Sequence, residues 1–281
     1  MSTIVYLNGE FLPQEAAHIS VMDRGFLFGD GVYEVIPIFK DKLFHPTAHL
    51  QRLQRSLTAI EIPFTVNEQE LTAIFDELRA KNPKSTASQA IYLEITRGAE
   101  QNRSHVFPAH IQPTVFIYIF NIASKNSAEM RGGANAITLD DIRWQWCYIK
   151  SLNLLPNVLF AERAKKSGAA EAILIRDGMA MEGTSSNLFI AKNQVIITPP
   201  TNEFILPGIT RDLVLELAAK HQIPYVEAPI SKQALFEADE VWMTGSVKEI
   251  LPIIQIDEYI IGSGKTGVLC NTLIDLYEQN K

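Results

Sequence analysis

The sequence predicts an α+β chain of two domains, built from mixed sheets with flanking helices. Three observations lead there. Its 281 residues, 47% hydrophobic and 20% charged, are enough for a large core that divides into about two domains. Strand-like segments frame two consecutive amphipathic helices in the first half, and strands and helices mix again in the second. Between the halves lies ASKNSAEMRGG, residues 123–133, polar and closed by two glycines, as a linker would be. We therefore expect an N-terminal domain over 1–120, a linker over 121–132 and a C-terminal domain over 133–281.

The elements follow in order. IVYLNGEFL reads as a hairpin, because Asn8-Gly9 between apolar runs suits a tight type I′ turn. VYEVIPIFKDKLF repeats the pattern around Lys40 to Lys42. TAHLQRLQRSLTAI then sets Leu50, Leu53, Leu57 and Ile60 on one helical face, and NEQELTAIFDELRAKN does so with Leu71, Ile74, Phe75 and Leu78. QAIYLEITRG and PTVFIYIFNI return the chain to the sheet. In the second half, residues 169–200 form a strand meander with Asp177-Gly178 as a hairpin turn. GITRDLVLELAAKH is an amphipathic helix, DEVWMTG and ILPIIQID are strands, and VLCNTLIDLYEQNK is a closing helix.

Charge and composition exclude several classes. Against 32 acidic side chains stand 25 basic ones, for a net charge of −7, and no polybasic run could neutralise phosphates along a duplex or a lipid surface. Nucleic acid and membrane are not expected partners. No window approaches the roughly 20 apolar residues of a spanning helix, and the N-terminus has no charged segment leading into an apolar run. Cys147 and Cys270 lie far apart with no CxxC spacing, so no metal site and no disulfide framework are expected, which fits a cytoplasmic protein.

The candidate chemistry starts at Lys150. If DIRWQWCYIK is a strand, Ile142, Trp144, Trp146, Tyr148 and Lys150 share one face. Burial among such groups disfavours the ammonium and yields a neutral nucleophile. A lysine snorkelling to solvent is the plainer alternative. In MEGTSSNLF, Glu182 precedes Thr184, Ser185, Ser186 and Asn187, a pattern that also serves an ordinary turn. LPGITRD places Pro207-Gly208 before a helix whose first turn carries Thr210, and the free N–H groups of a helix start suit a phosphate as well as a cap. Together, a lysine that can be neutral, a carboxylate for a pyridine nitrogen and a phosphate cradle are the parts of a pyridoxal phosphate site. GSGKTG, residues 262–267, lacks the first glycine of a P-loop because Tyr259 stands there, and Gly29-Asp30-Gly31 leads into a strand, so neither is read as a nucleotide loop.

DRGFLFGDGVYEV, HLQRL, IKSLNLL, EGTSSNLF and LPGITRD, in that order, make the chain resemble the fold-type IV pyridoxal-phosphate enzymes from its first strand to its last helix. That family holds D-amino acid transaminases, branched-chain aminotransferases and aminodeoxychorismate lyases. The resemblance implies two domains with a barrel-like C-terminal one, pyridoxal 5′-phosphate as cofactor, and a homodimer. It implies that Lys150 bonds the cofactor as a Schiff base and moves protons, and that Glu182 pairs with the pyridine nitrogen. Arg52, Ser185, Ser186, Asn187, Gly208, Ile209, Thr210 and Ser246 would hold the cofactor, with Leu206 against its ring. Tyr33, Arg103 and His105 match the substrate-carboxylate trap of the D-amino acid transaminases, so the implied reaction moves an amino group from a D-amino acid such as D-alanine to a 2-oxo acid such as 2-oxoglutarate. Val247 departs from the pattern where a hydroxyl is expected. Branched-chain L-amino acid transamination, aminodeoxychorismate cleavage, and cofactor binding without turnover are the alternatives.

Overall fold

A computed structural model describes residues 3–83, 88–122 and 127–281. They fall into two compact units, one of residues 1–124 with 149–153, the other of residues 125–148 with 154–281. Part of the expected linker, 123–126, lies outside the described residues.

The first unit is an antiparallel sheet with α2 and α3 on one face. Its elements are β1 (Ile4–Leu7), β2 (Glu10–Pro13), α1 (Arg24–Phe28), β3 (Gly31–Phe39), β4 (Lys42–Leu43), α2 (Pro46–Ala59), α3 (Glu68–Lys81), β5 (Gln89–Thr96) and β6 (Thr114–Asn121). The strand order is β2-β1-β6-β5-β3-β4. Both expected hairpin turns have positive φ at their two central residues, 49° and 101° at Asn8-Gly9 and 49° and 61° at Lys40-Asp41, the geometry whose twist suits a hairpin. Asn67 caps α3 by accepting from Gln69 N and Glu70 N. Leu50, Leu53 and Leu57 of α2 and Leu71, Phe75 and Leu78 of α3 pack on Val32, Ile36, Ile91, Leu93 and Ile117 of the sheet. Each of these side chains removes apolar surface from water, at about 1.5 to 3 kcal/mol apiece, and this core fixes β3 and α2 relative to one another.

The second unit carries α4 (Ser127–Arg131), β7 (Ala134–Asp140), α5 (Leu155–Lys166), β8 (Glu171–Arg176), β9 (Met179–Gly183), β10 (Asn187–Lys192), β11 (Val195–Thr198), α6 (Ile209–Lys220), β12 (Tyr225–Glu227), β13 (Ile230–Ser231), α7 (Lys232–Phe236), β14 (Glu240–Gly245), β15 (Glu249–Ile256), β16 (Tyr259–Ile260) and α8 (Val268–Gln279). Its main sheet runs β10-β14-β15-β7-β8-β9, and β9 pairs back onto β10 at Glu182 and Asn187, closing a barrel. Ile173, Leu188, Ile190, Val241, Met243, Leu251 and Ile253 fill its core. Closure removes the exposed strand edges that an open sheet would present.

Two expectations are corrected here. Residues 141–150 are not a strand: β7 ends at Asp140, and Ile142, Trp144, Trp146 and Tyr148 are exposed. The side chain of Asp141 accepts a hydrogen bond from Arg143 N at 3.0 Å, a local turn that competes with the ladder. Lys150, expected in the C-terminal domain, belongs to the first unit, because the segment 149–153 runs beside β3: Leu152 N donates to Gly31 O and Tyr33 N to Lys150 O, both at 3.0 Å.

Candidate active site

In the first unit, the backbone of Lys150 is fixed on both sides. Its N–H donates to Ser56 Oγ of α2 at 3.2 Å while its carbonyl accepts from Tyr33 of β3. The side chain is half-buried, and Nζ lies 4.1 Å from the centre of the Tyr33 ring. The aromatic face against the amine is thus supplied by Tyr33.

Alternation along β3 sends Glu34 to the other face, against α2. Glu34 is fully buried; Arg52 donates to it from Nε at 2.7 Å and Nη2 at 2.8 Å, and His49 Nδ1 lies 2.7 Å away. Burial alone would raise this carboxyl, but the charge and hydrogen bonds of Arg52, aided by His49, hold it far below the ordinary carboxylate range. Burial outweighs Glu34 at His49 and lowers its pKa. Arg52 is therefore oriented by Glu34, a partner that sequence reasoning passed over although it is the Glu of VYEV.

Arg103 and His105 share one platform. The Arg103 guanidinium stands 4.7 Å over the Phe28 ring, and the His105 ring meets Phe28 edge-on at 5.3 Å. Buried Arg24 anchors their loop by donating to Ser104 O at 2.6 Å, to Glu100 at 2.7 Å and to Asp30 at 2.8 Å. Among the described residues no hydrogen bond or ring contact joins Arg103 or His105 to Tyr33 or Lys150. Of the three members expected to trap a carboxylate, Arg103 and His105 lie on Phe28 and Tyr33 lies against Lys150.

In the second unit, Glu182 sits at the barrel-closing pair. Oε1 accepts from Arg143 Nη1 at 2.5 Å, while Oε2 accepts from Leu206 N at 3.1 Å and Asn187 Nδ2 at 3.2 Å. Asn187 also donates to Leu206 O at 2.8 Å. Burial pushes Glu182 up to about 7, against the pull of Arg143 and of the Leu206 N–H. Arg143 was missed in the sequence; it is set by Asp141, which accepts from its Nε and Nη2 at 2.9 Å.

The remaining expected residues lie at the start of α6 and in the turns that follow β9 and β14. Gly208 precedes Ile209 and Thr210 with no side-chain cap on the helix. A Cβ at Gly208 would fall 1.9 Å from Asn187 Oδ1, so the close approach of this loop to Asn187 requires glycine. Ser185 is exposed and Ser246 half-buried; Gly245 brings their turns together, since a Cβ there would stand 3.0 Å from Ser185 O. Ser186 is turned elsewhere: its hydroxyl donates to buried Glu171 at 2.6 Å, which also accepts from Thr184 Oγ1 at 2.6 Å and pairs with Lys248. Val247 is exposed and offers no hydroxyl. At GSGKTG, the helix start is already filled, because Glu240 accepts from Leu269 N at 3.0 Å and Cys270 N at 2.8 Å.

These residues fit the group that the sequence motifs imply. A carboxylate offers about four acceptor positions, and three donors on Glu182 leave one for a protonated ring nitrogen. The uncapped first turn of α6, with Thr210 and the neighbouring serines, offers N–H and O–H donors to a phosphate.

A closed barrel and an antiparallel sheet unit are the two parts expected of an aminotransferase of class IV. The chain belongs to that family, whose profile, amino-transferase class IV, matches residues 31–256. Among curated relatives, the D-alanine aminotransferase of Bacillus licheniformis is 43% identical over 265 residues, 94% of this chain and 92% of that one. That of Staphylococcus aureus (strain N315) is 38% identical over 98% of this chain and 96% of its own. Among solved structures, the branched-chain amino acid aminotransferase of Escherichia coli superposes with a TM-score of 0.90 at 27% identity, covering 99% of this chain and 94% of that one. The branched-chain aminotransferase of the archaeon Thermoproteus uzoniensis, solved with norvaline, reaches 0.88 at 26% identity, over 99% of this chain and 94% of its own.

Proposed function

We propose that this protein transaminates D-amino acids, D-alanine among them, passing the amino group through pyridoxal 5′-phosphate to a 2-oxo acid in two half-reactions. The observation that carries the reading is 43% identity to a D-alanine aminotransferase along 94% of the chain. The cofactor supplies an electrophilic carbon for an amine and a cationic ring that accepts an electron pair. Lys150 would hold it through Nζ and, once free, take and return the α-proton at that nitrogen. Glu182, with one acceptor position open, would keep the ring nitrogen protonated. Arg52, oriented by Glu34, and the N–H groups of Ile209 and Thr210 would hold the phosphate with Ser185 and Ser246.

Arg103, His105 and Tyr33 would bind the substrate carboxylate, since a guanidinium fork fixes orientation as well as charge. Lys150 reaches one proton orientation, so the placement of this trap selects D over L. The trap residues sit on Phe28 without contact to Tyr33, which supports a homodimer whose second copy brings Arg103 and His105 to the amine. Exposed Phe26 and Val106 beside them offer that copy an apolar surface. No helix among the described residues is long and apolar enough to cross a membrane, and with both cysteines free we place the enzyme in the cytoplasm.

The test is a half-reaction screen, following the cofactor's absorbance on addition of D-alanine, L-alanine, L-leucine or aminodeoxychorismate. Conversion by D-alanine is expected. Conversion by the L-acids alone overturns the D reading, release of pyruvate from aminodeoxychorismate with the cofactor unchanged marks the lyase alternative, and neither conversion nor release with any of the four leaves cofactor binding without turnover.

A further inference from the structure

Glu171 opens β8 with its carboxylate sealed from water. Oε1 accepts from Thr184 N at 3.0 Å and from Thr184 Oγ1 at 2.6 Å, and Oε2 accepts from Ser186 Oγ at 2.6 Å. Both neighbours of Ser185 are thus held by one side chain. The same carboxylate pairs with Lys248, two residues beyond Ser246. Glycine at position 183 makes room for it, since a Cβ there would stand 2.9 Å from Glu171 Cδ and 2.3 Å from Ser186 Oγ. One buried group therefore braces the turn after β9 and the turn after β14, the two that carry Ser185 and Ser246.

Such a brace brings a negative charge with it. Burial would raise the carboxyl, but the charge and hydrogen bond of Lys248, joined by the Ser186 and Thr184 hydroxyls, hold it below the ordinary carboxylate range, so it is ionised near neutrality. An anion bonded to both neighbours of Ser185 lies within about two residue spacings, under ~8 Å, of a phosphate on the Ser185 hydroxyl. That phosphate carries close to two negative charges, and repulsion between partly buried anions is weakly screened by salt. Lys248, whose side chain reaches in from the surface, cancels the charge of the carboxylate while leaving it bonded to Thr184 and Ser186.

We infer that Lys248 sets the affinity for the cofactor phosphate through Glu171: as a positioning residue it neutralises the buried carboxylate, which can then hold the Ser185 and Ser246 turns beside an anion. The inference rests on the reading that these two serines face the phosphate. Lys248 acts through the carboxylate and does not itself touch the phosphate.

The experiment measures dissociation constants of the full-length apoprotein for pyridoxamine 5′-phosphate and, by competition, for pyridoxamine, which differ only by the phosphate. Lys248→Met should weaken the phosphate form by about tenfold or more, because an unpaired buried anion then faces it, and change pyridoxamine by less than about twofold. Adding Glu171→Gln, which keeps the shape, leaves an oxygen for Thr184 and removes the charge, should bring the phosphate form back to within about threefold of wild type. Recovery through a second substitution is an effect that additive destabilisation does not produce. Equal losses for the two ligands would make Lys248 merely structural, and a double variant no tighter than Lys248→Met would make it a direct phosphate ligand; either overturns the inference. If Lys248→Met does not fold, Glu171→Gln alone decides: it should bind the phosphate form at least as tightly as wild type, and a loss of about tenfold overturns the inference. A wild type that binds pyridoxamine 5′-phosphate no more tightly than pyridoxamine would instead overturn the placement of the phosphate, so the two failures are distinguishable.

Discussion

Arg143 donates from Nη1 to Oε1 of Glu182 at 2.5 Å, and the other edge of the same guanidinium is gripped by Asp141. All three side chains are nearly sealed from water. Removing the cation leaves buried Glu182 with only the neutral donors of Leu206 and Asn187, and Asp141 with Arg176 as its remaining guanidinium. Arg143→Met should therefore cost about 3 to 5 kcal/mol of folding stability and weaken cofactor retention, read by chemical denaturation and by cofactor absorbance after dialysis. A loss under about 1 kcal/mol would mean that water replaces the guanidinium.

Glu182 itself predicts a pH effect. Its carboxyl is raised from 4.5 to about 7, so between those values the folded apoprotein holds a proton that the unfolded chain has released. Stability must then fall as pH rises through this window, by about 3 kcal/mol in total for this group. Glu182→Gln removes the effect. The stability difference between wild type and variant, measured in urea on apoprotein from about pH 5 to 7.5, should move against wild type with rising pH; a flat difference would refute the shift.

Glu34 carries the opposite sign. Held far below the ordinary range by Arg52, its contribution is complete above the unfolded value of 4.5 and fades as pH falls toward the folded one. Glu34→Gln leaves Arg52 buried without its carboxylate and should cost about 3 to 5 kcal/mol near neutrality. The gap to wild type should narrow in acid, below about pH 4, which thermal unfolding across pH can follow.

Local chemistry made much of this legible. Asn8-Gly9 and Asp177-Gly178 announce themselves because each residue satisfies its own backbone geometry. Lys150 and Glu182 could be singled out as candidates because their motifs are contiguous, and their roles are part of the proposed function. The conformation of 141–150 was not legible, since alternating apolar residues fit a strand until Asp141 turns its side chain onto Arg143 N. Helix α5 escaped because Pro156 lies in its first turn and only Phe160 and Ala164 are buried, too few to mark a face. Glu171, which holds Thr184, Ser186 and Lys248 from 13, 15 and 77 residues away, has no signal at any fixed spacing. Long-range polar pairing of this kind exists only once the barrel has closed.

The trap gives the last test. Phe28 holds Arg103 and His105 together, while Tyr33 stands with Lys150, and among the described residues no hydrogen bond or ring contact joins these pairs. If a second copy completes each site, Arg103→Leu and Lys150→Ala each disable every site of a pure dimer. A mixed dimer of the two variants, however, keeps one site with an intact lysine from one chain and an intact arginine from the other. Co-expressed and purified through both tags in turn, that mixed dimer should regain about half of wild-type D-alanine turnover, since one site in two is whole. Arg103→Leu alone should retain its cofactor absorbance while losing D-alanine use by about a hundredfold, the order expected for a charge-assisted fork. No recovery in the mixture, with light scattering reporting a dimer, would place the trap and the lysine of each site on the same chain.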